Sequence, residues 1–68
     1  MRHYLKEYQD RLGYTTYRLA EITKIDRVQL VRIRQNPEYR ISAVTAMTLA
    51  SALGITVEQL YQAPGGDA

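Results

Sequence analysis

The chain has no cysteine, no tryptophan and no phenylalanine, and a single histidine, His3. Without thiols there is neither a disulfide framework nor a thiolate metal site, and one histidine near a terminus cannot assemble an imidazole cluster. Apolar runs never exceed a few residues, far short of the roughly 20 that cross a bilayer, and MRHYLKEYQDR lacks the apolar stretch of a signal peptide. Glu7, Asp10, Glu21, Glu38 and Glu58 are scattered singly, so no pair of carboxylates is placed for acid–base work. Ser42 and Ser51 have no histidine in plausible reach, and Gly65-Gly66 precedes no helix that could cradle a phosphate. A chain of 68 residues has little interior to spare beyond its core. Catalysis, metals, cofactors, small-molecule ligands and membranes all drop away, which leaves a cytoplasmic binding module.

What is present is an unequal charge distribution. The net charge is only +2, yet residues 16–40 hold Arg18, Lys24, Arg27, Arg32, Arg34 and Arg40 against Glu21, Asp26 and Glu38. Residues 41–68 contain no lysine or arginine. A basic middle and an almost uncharged final third suggest that one part meets an anion while the other packs or associates. A solvated basic helix face is the plain alternative.

Punctuation divides the chain into five helical segments with no convincing strand. The first, about 2–12, places Leu5, Tyr8 and Leu12 on one side and stops at Gly13. The second follows the N-cap Thr15 and breaks near Lys24. The third follows Asp26, which pairs with Gln29 as a capping box while Ile25 and Leu30 form a hydrophobic staple. It ends at Asn36-Pro37, because the residue before proline is driven out of the helical region. The fourth follows Ser42, runs through Ala43, Ala46, Met47, Ala50 and Leu53 and stops at Gly54. The fifth begins with Thr56 and Gln59 as capping box and Ile55 with Leu60 as staple. Residues 1–62 are expected to form one domain, and 63–68 a flexible tail.

Segments two and three are separated by only Lys24-Ile25-Asp26, and helices joined so tightly meet at a steep angle, as in a helix-turn-helix. Winding segment three at about 100° per residue puts Leu30 and Ile33 on the inner side. Val28, Val31, Arg32 and Gln35 fall on the outer side, flanked by Arg27 and Gln29. Such a stripe suits a DNA major groove: arginine bonds guanine O6 and N7, glutamine reads adenine, and valine packs on thymine methyls. Alternatively, Val28 and Val31 are buried and segment three is a central core helix. The tight turn and basic surroundings favour the groove. The six tyrosines could form a stacking platform for single strands, but their dispersion makes most of them core edges. Tyr17, at a helix start, is retained as a phosphate contact.

LAEITKIDRVQLVRIRQN (19–36) resembles the Leu-Ala-x-x-x-Gly-Ile-Ser-x-x-x-Ile-x-x-Ile-Glu-x-Gly pattern of Cro/repressor-type, XRE-like helix-turn-helix proteins. ISAVTAMTLASALGITVEQLY (41–61) is similar to the last two helices of that family, so the resemblance spans about residues 4–61. It implies an all-α, five-helix bundle of the lambda-repressor-like type and a transcriptional regulator, most simply a repressor, of prokaryotic or phage origin. Double-stranded DNA with an inverted-repeat operator would be the partner, bound by a homodimer. Base readers would be Arg27, Val28, Gln29, Val31, Arg32 and Gln35. Phosphate contacts would come from Thr15, Thr16, Tyr17, Lys24, Asn36, Tyr39 and Arg40, with Thr16 standing where the family usually has glutamine.

Three positions depart from the pattern. Lys24 replaces the turn glycine and would need a positive φ; Asn-Pro replaces Asn-Gly after segment three. Arg34 replaces the glutamate that usually pairs with an arginine of the first helix, a position held here by Gln9. Arg34 could meet Asp10, Glu7 or a phosphate. Val44, Val57, Leu60 and Tyr61 in the uncharged third are the expected self-association surface. A protein-interaction module of antitoxin or co-regulator type, docking through Val28 and Val31, is the alternative function. Its binding would be insensitive to salt, whereas phosphate neutralisation weakens steeply as salt rises.

Overall fold

A computed structural model describes residues 1–65. Within them the chain forms α1 (Leu5–Leu12), α2 (Thr16–Thr23), α3 (Arg27–Gln35), α4 (Ala43–Leu53) and α5 (Val57–Leu60), and no strand. The all-α, five-helix reading therefore holds. Among the described residues no helix is long and apolar enough to cross a membrane. The expected tail, 63–68, begins at Ala63–Gly65, beyond α5, and its last three residues lie outside the described region.

Four helix starts use the side-chain oxygens that the sequence offers. Thr15 accepts from the Arg18 amide, Asp26 from Val28, Ser42 from Thr45 and Thr56 from Gln59, each satisfying an amide that has no partner within its helix. The Thr56–Gln59 capping box is complete, with the Gln59 side chain accepting from the Thr56 amide at 2.8 Å. The Asp26–Gln29 box does not form. The Asp26 carboxylate reaches the amide two residues on, at 3.0 Å, and Gln29 is exposed.

Leu5, Leu19, Leu30, Ile33, Leu49 and Leu60 are fully buried, joined by Tyr8, Ala46 and Leu53 in one cluster fed by all five helices. Helix α3 packs against α1 and α2, and α4 packs against α1, α2 and α5. The inner face of α4 is Ala46, Leu49, Ala50 and Leu53, whereas Ala43 is exposed and Met47 is 61% exposed. In AVTAMTLASAL every residue is apolar or small and neutral, so the sequence gives little contrast between inside and outside.

Residues 1–4 are not helical, although the first segment was expected to start at about residue 2. They form a strap. The His3 amide donates to the Pro37 carbonyl at 2.9 Å and the Tyr4 amide to the Leu60 carbonyl at 2.8 Å, tying the chain start to the loop after α3 and to α5. These long-range bonds displace the intrahelical ones that local periodicity would have favoured.

The α2–α3 turn passes through Lys24 with φ 64° and ψ 17°, and Lys24 is the non-glycine residue with positive φ among the described residues. The amide of Lys24 caps α2 by donating to the Ala20 carbonyl at 2.8 Å. A non-glycine residue in this conformation costs about 1–2 kcal/mol. Glycine removes that strain but gains about 0.4–1 kcal/mol of unfolded-state entropy. Lys24→Gly is therefore expected to stabilise the fold by roughly 0.5 kcal/mol. A rise in the urea midpoint checks this; a fall contradicts the strain argument.

Candidate nucleic-acid interface

The short turn fixes how α3 is presented. With Leu30 and Ile33 sealed against the core, Val28 is 57% exposed, and Arg27, Gln29, Arg32 and Gln35 also face solvent. Val31 lies at the flank and is half-buried, so its access is less than that of the other stripe residues. Burial of Val28 in a central core helix does not occur.

Tyr17, 63% exposed at the start of α2, lines a shallow groove with Ala20, Glu21, Asp26, Arg27 and Val28. The first turns of α2 and α3 carry no acidic residue. The α2 N-terminus therefore keeps its positive dipole end uncompensated, a disposition that suits a phosphate. Thr15 spends its oxygen as an acceptor for the Arg18 amide. Thr16 is half-buried and its Oγ1 accepts from Gln9 Nε2 at 3.2 Å, which leaves the hydroxyl hydrogen of Thr16 available to an incoming acceptor.

Gln9 is fully buried, and its Nε2 also donates to the Tyr14 carbonyl at 3.2 Å. Its Oε1 is a buried polar atom without a partner in the described structure. Arg34 resolves its three alternatives by pairing with Asp10 at 3.3 Å, bridging α3 to α1. Asp10 also meets Lys6 at 3.1 Å, and the Lys6 hydrogen bond, with Arg34 beside it, holds the Asp10 carboxyl below its ordinary range.

Beyond α3, Asn36 Oδ1 accepts from the Glu38 amide at 3.2 Å and its carbonyl accepts from Tyr39 at 2.9 Å, which curls the loop. Arg40 and Asn36 are exposed, whereas the Tyr39 ring packs against the core. Lys24 is exposed at the turn. Arg2, Lys6, Arg18 and Arg34 have acidic partners within 4 Å, while Arg11, Lys24, Arg27, Arg32 and Arg40 have none among the described residues. Arg11 lies on α1; the other four unpaired charges belong to the turn, α3 and the following loop.

The expected self-association surface needs correction. Leu60 is fully buried and Val57 and Tyr61 pack partly against the core, so Val44 alone of the four projects freely, at 74% exposure. The α5 helix is only four residues long, and its one apolar turn is consumed in closing the monomer.

Two helices crossing through a three-residue turn, with an exposed polar-cationic face on the second, define a helix-turn-helix DNA-binding domain. Residues 5–64 match the family described as the Cro/C1-type HTH DNA-binding domain, and the chain belongs to that family. Comparison with curated proteins and with solved structures gives no match.

Gln9 is the buried link between α1 and the start of α2. Gln9→Ala leaves the Tyr14 carbonyl without its donor and should cost about 1–3 kcal/mol in urea unfolding. A change below about 0.5 kcal/mol would show that water or a shifted side chain replaces the bond.

Proposed function

We propose that this protein is a sequence-specific double-stranded DNA binder that regulates transcription, most simply as a repressor that occludes polymerase. The observation that carries this reading is the outer face of α3, where Val28 and the unpaired Arg27 and Arg32 stand exposed beside Gln29 and Gln35. In this reading those residues, with the flanking Val31, meet base edges in the major groove. Thr15, Thr16 and Tyr17 at the start of α2, Lys24 at the turn, and Asn36, Tyr39 and Arg40 after α3 meet the sugar-phosphate backbone and set the register.

A single short recognition helix covers only a half-site. Two copies on an inverted repeat, with their α3 helices about one DNA turn apart, would supply the missing discrimination. The domain spans residues 1–62 in this proposal, with 63–68 as a tail. Action on DNA inside a prokaryotic cell or on phage DNA follows from the same reading.

The test separates readers from clamps. Arg32→Ala should cost about 1–3 kcal/mol on a duplex selected from random sequence and much less on scrambled duplex. Arg40→Ala should weaken both about equally and reduce the salt slope by about one unit. Equal losses on both duplexes for Arg32→Ala would make Arg32 a phosphate clamp and overturn the base-reading assignment. Stoichiometry on the selected site should be two chains per inverted repeat; a strict one-to-one complex at saturation contradicts the dimer.

A further inference from the structure

His3 is the one histidine of the chain and is 2% exposed, although it is only the third residue. Its ring joins two parts of the molecule. Nε2 lies 2.9 Å from the Asn36 carbonyl, and Nδ1 lies 3.3 Å from the Leu5 amide. A carbonyl can only accept and an amide can only donate, so Nε2 carries the proton and Nδ1 is bare. The neutral imidazole thus completes the first turn of α1 on one side and clamps the residue that ends α3 on the other. The backbone adds a second tie, from the His3 amide to the Pro37 carbonyl, and the N-terminal amine lies 3.4 Å from the Glu38 carboxylate. The strap is anchored to the start of the Asn36–Arg40 loop.

We propose that His3 is a positioning residue for DNA binding: its neutral ring holds the loop after α3 in the geometry that contacts phosphate, and protonation of Nδ1 releases it. This role rests on the reading of Asn36–Arg40 as a backbone-contacting loop. A second proton puts an N–H on Nδ1 facing the Leu5 N–H, two donors with no acceptor between them. The ring then cannot keep both bonds. Burial opposes the charged form and lowers the pKa of His3 below 6.5, with the Arg2 charge adding to it, although the Asn36 and Ile33 carbonyls and the charge of Glu7 act the other way. The charged groups around the ring are Arg2 on the strap, Lys6 and Glu7 on α1, and Arg34 on α3. Glu7 is already engaged with Arg2 at 2.6 Å and Arg34 with Asp10, so the one carboxylate that favours the imidazolium is shared with a cation. The sign follows: with the folded pKa below 6.5, the neutral clamp is fully present above 6.5 and is lost as pH falls through the lowered value.

Acidification adds positive charge, which by itself would strengthen attraction to a polyanion. A positioning role has the opposite consequence. Duplex affinity of the wild-type chain should fall about three- to tenfold between about pH 7.5 and pH 5, on selected and scrambled sequences alike, as expected for one lost hydrogen bond. The salt slope should drop at the lower pH toward that of Arg40→Ala, because a loop contact is lost; a smaller folded fraction alone would leave the slope unchanged. His3→Gln, which has an uncharged amide donor near the Nε2 position, should retain most of the affinity and show a flat pH profile. His3→Ala should bind weakly at both values.

The free protein provides an independent arm. Exchange of the Tyr39 and Leu5 amides, followed by NMR, should accelerate at pH 5 relative to His3→Gln at the same pH. A wild-type affinity that is flat or rises on acidification, or a His3→Gln variant with the wild-type pH profile, overturns the role of His3. Absence of duplex binding by the wild-type chain at either pH overturns the DNA-binding reading and the role with it. In that event, acid-accelerated exchange at Tyr39 still separates a true strap from a failed interface.

Discussion

The constraint on which the molecule depends is the three-residue connection Lys24–Asp26. That short turn, with Lys24 in the left-handed conformation, packs α2 against α3 in the helix-turn-helix arrangement, with Leu19, Ala20, Leu30 and Ile33 in the core between them. Once Leu30 and Ile33 are committed to that packing, the opposite face of α3 must face solvent. The left-handed conformation at Lys24 is the local cost, offset by the burial that the packing allows. The exposed side of α3 is thus a direct consequence of backbone geometry, and its composition of arginine, glutamine and valine gives that exposure its chemical meaning.

Charge is allocated to match. Arg34 and Lys6 share Asp10, and Arg2 takes Glu7, so these three cations on and beside α1 are paired, Arg11 being the exception. Arg27, Arg32 and Arg40 have no such partners among the described residues. The usual acidic-basic link from α3 to α1 is inverted here: the arginine is on α3, the acid is Asp10, and Gln9 fills the buried position beside it. Gln9 also bonds Thr16, coupling the α1–α3 packing to the α2 terminus.

Features governed by near neighbours were readable in the sequence. Thr15, Ser42 and Thr56 are caps because a side-chain oxygen lies within reach of an amide two or three residues on. Gly13 and Gly54 end their helices in the left-handed region that favours glycine. The outward positions of Val28, Arg32 and Gln35 followed from helical spacing once the buried side was known. Features set by distant contacts were not readable. His3 bonds Asn36, 33 positions away, and the strap bonds Leu60, so no local pattern marks either. The inner face of α4 has no sequence signature because the helix holds no charged residue to mark the outside, and Leu60 was misplaced because its packing with α4 and its bond to the strap are tertiary events.

The most direct test of α3 as the reading helix is an amide and side-chain NMR titration with a duplex selected from random sequence. The largest shifts are predicted along Arg27–Gln35 on the outward side, with a second set at Thr16–Tyr17 and at Asn36–Arg40. The outer positions of α4, Val44 and Met47, should move only if a second chain docks there. Shifts concentrated on Ile22 and Met47, with Val28 and Arg32 unchanged at saturation, would contradict the account.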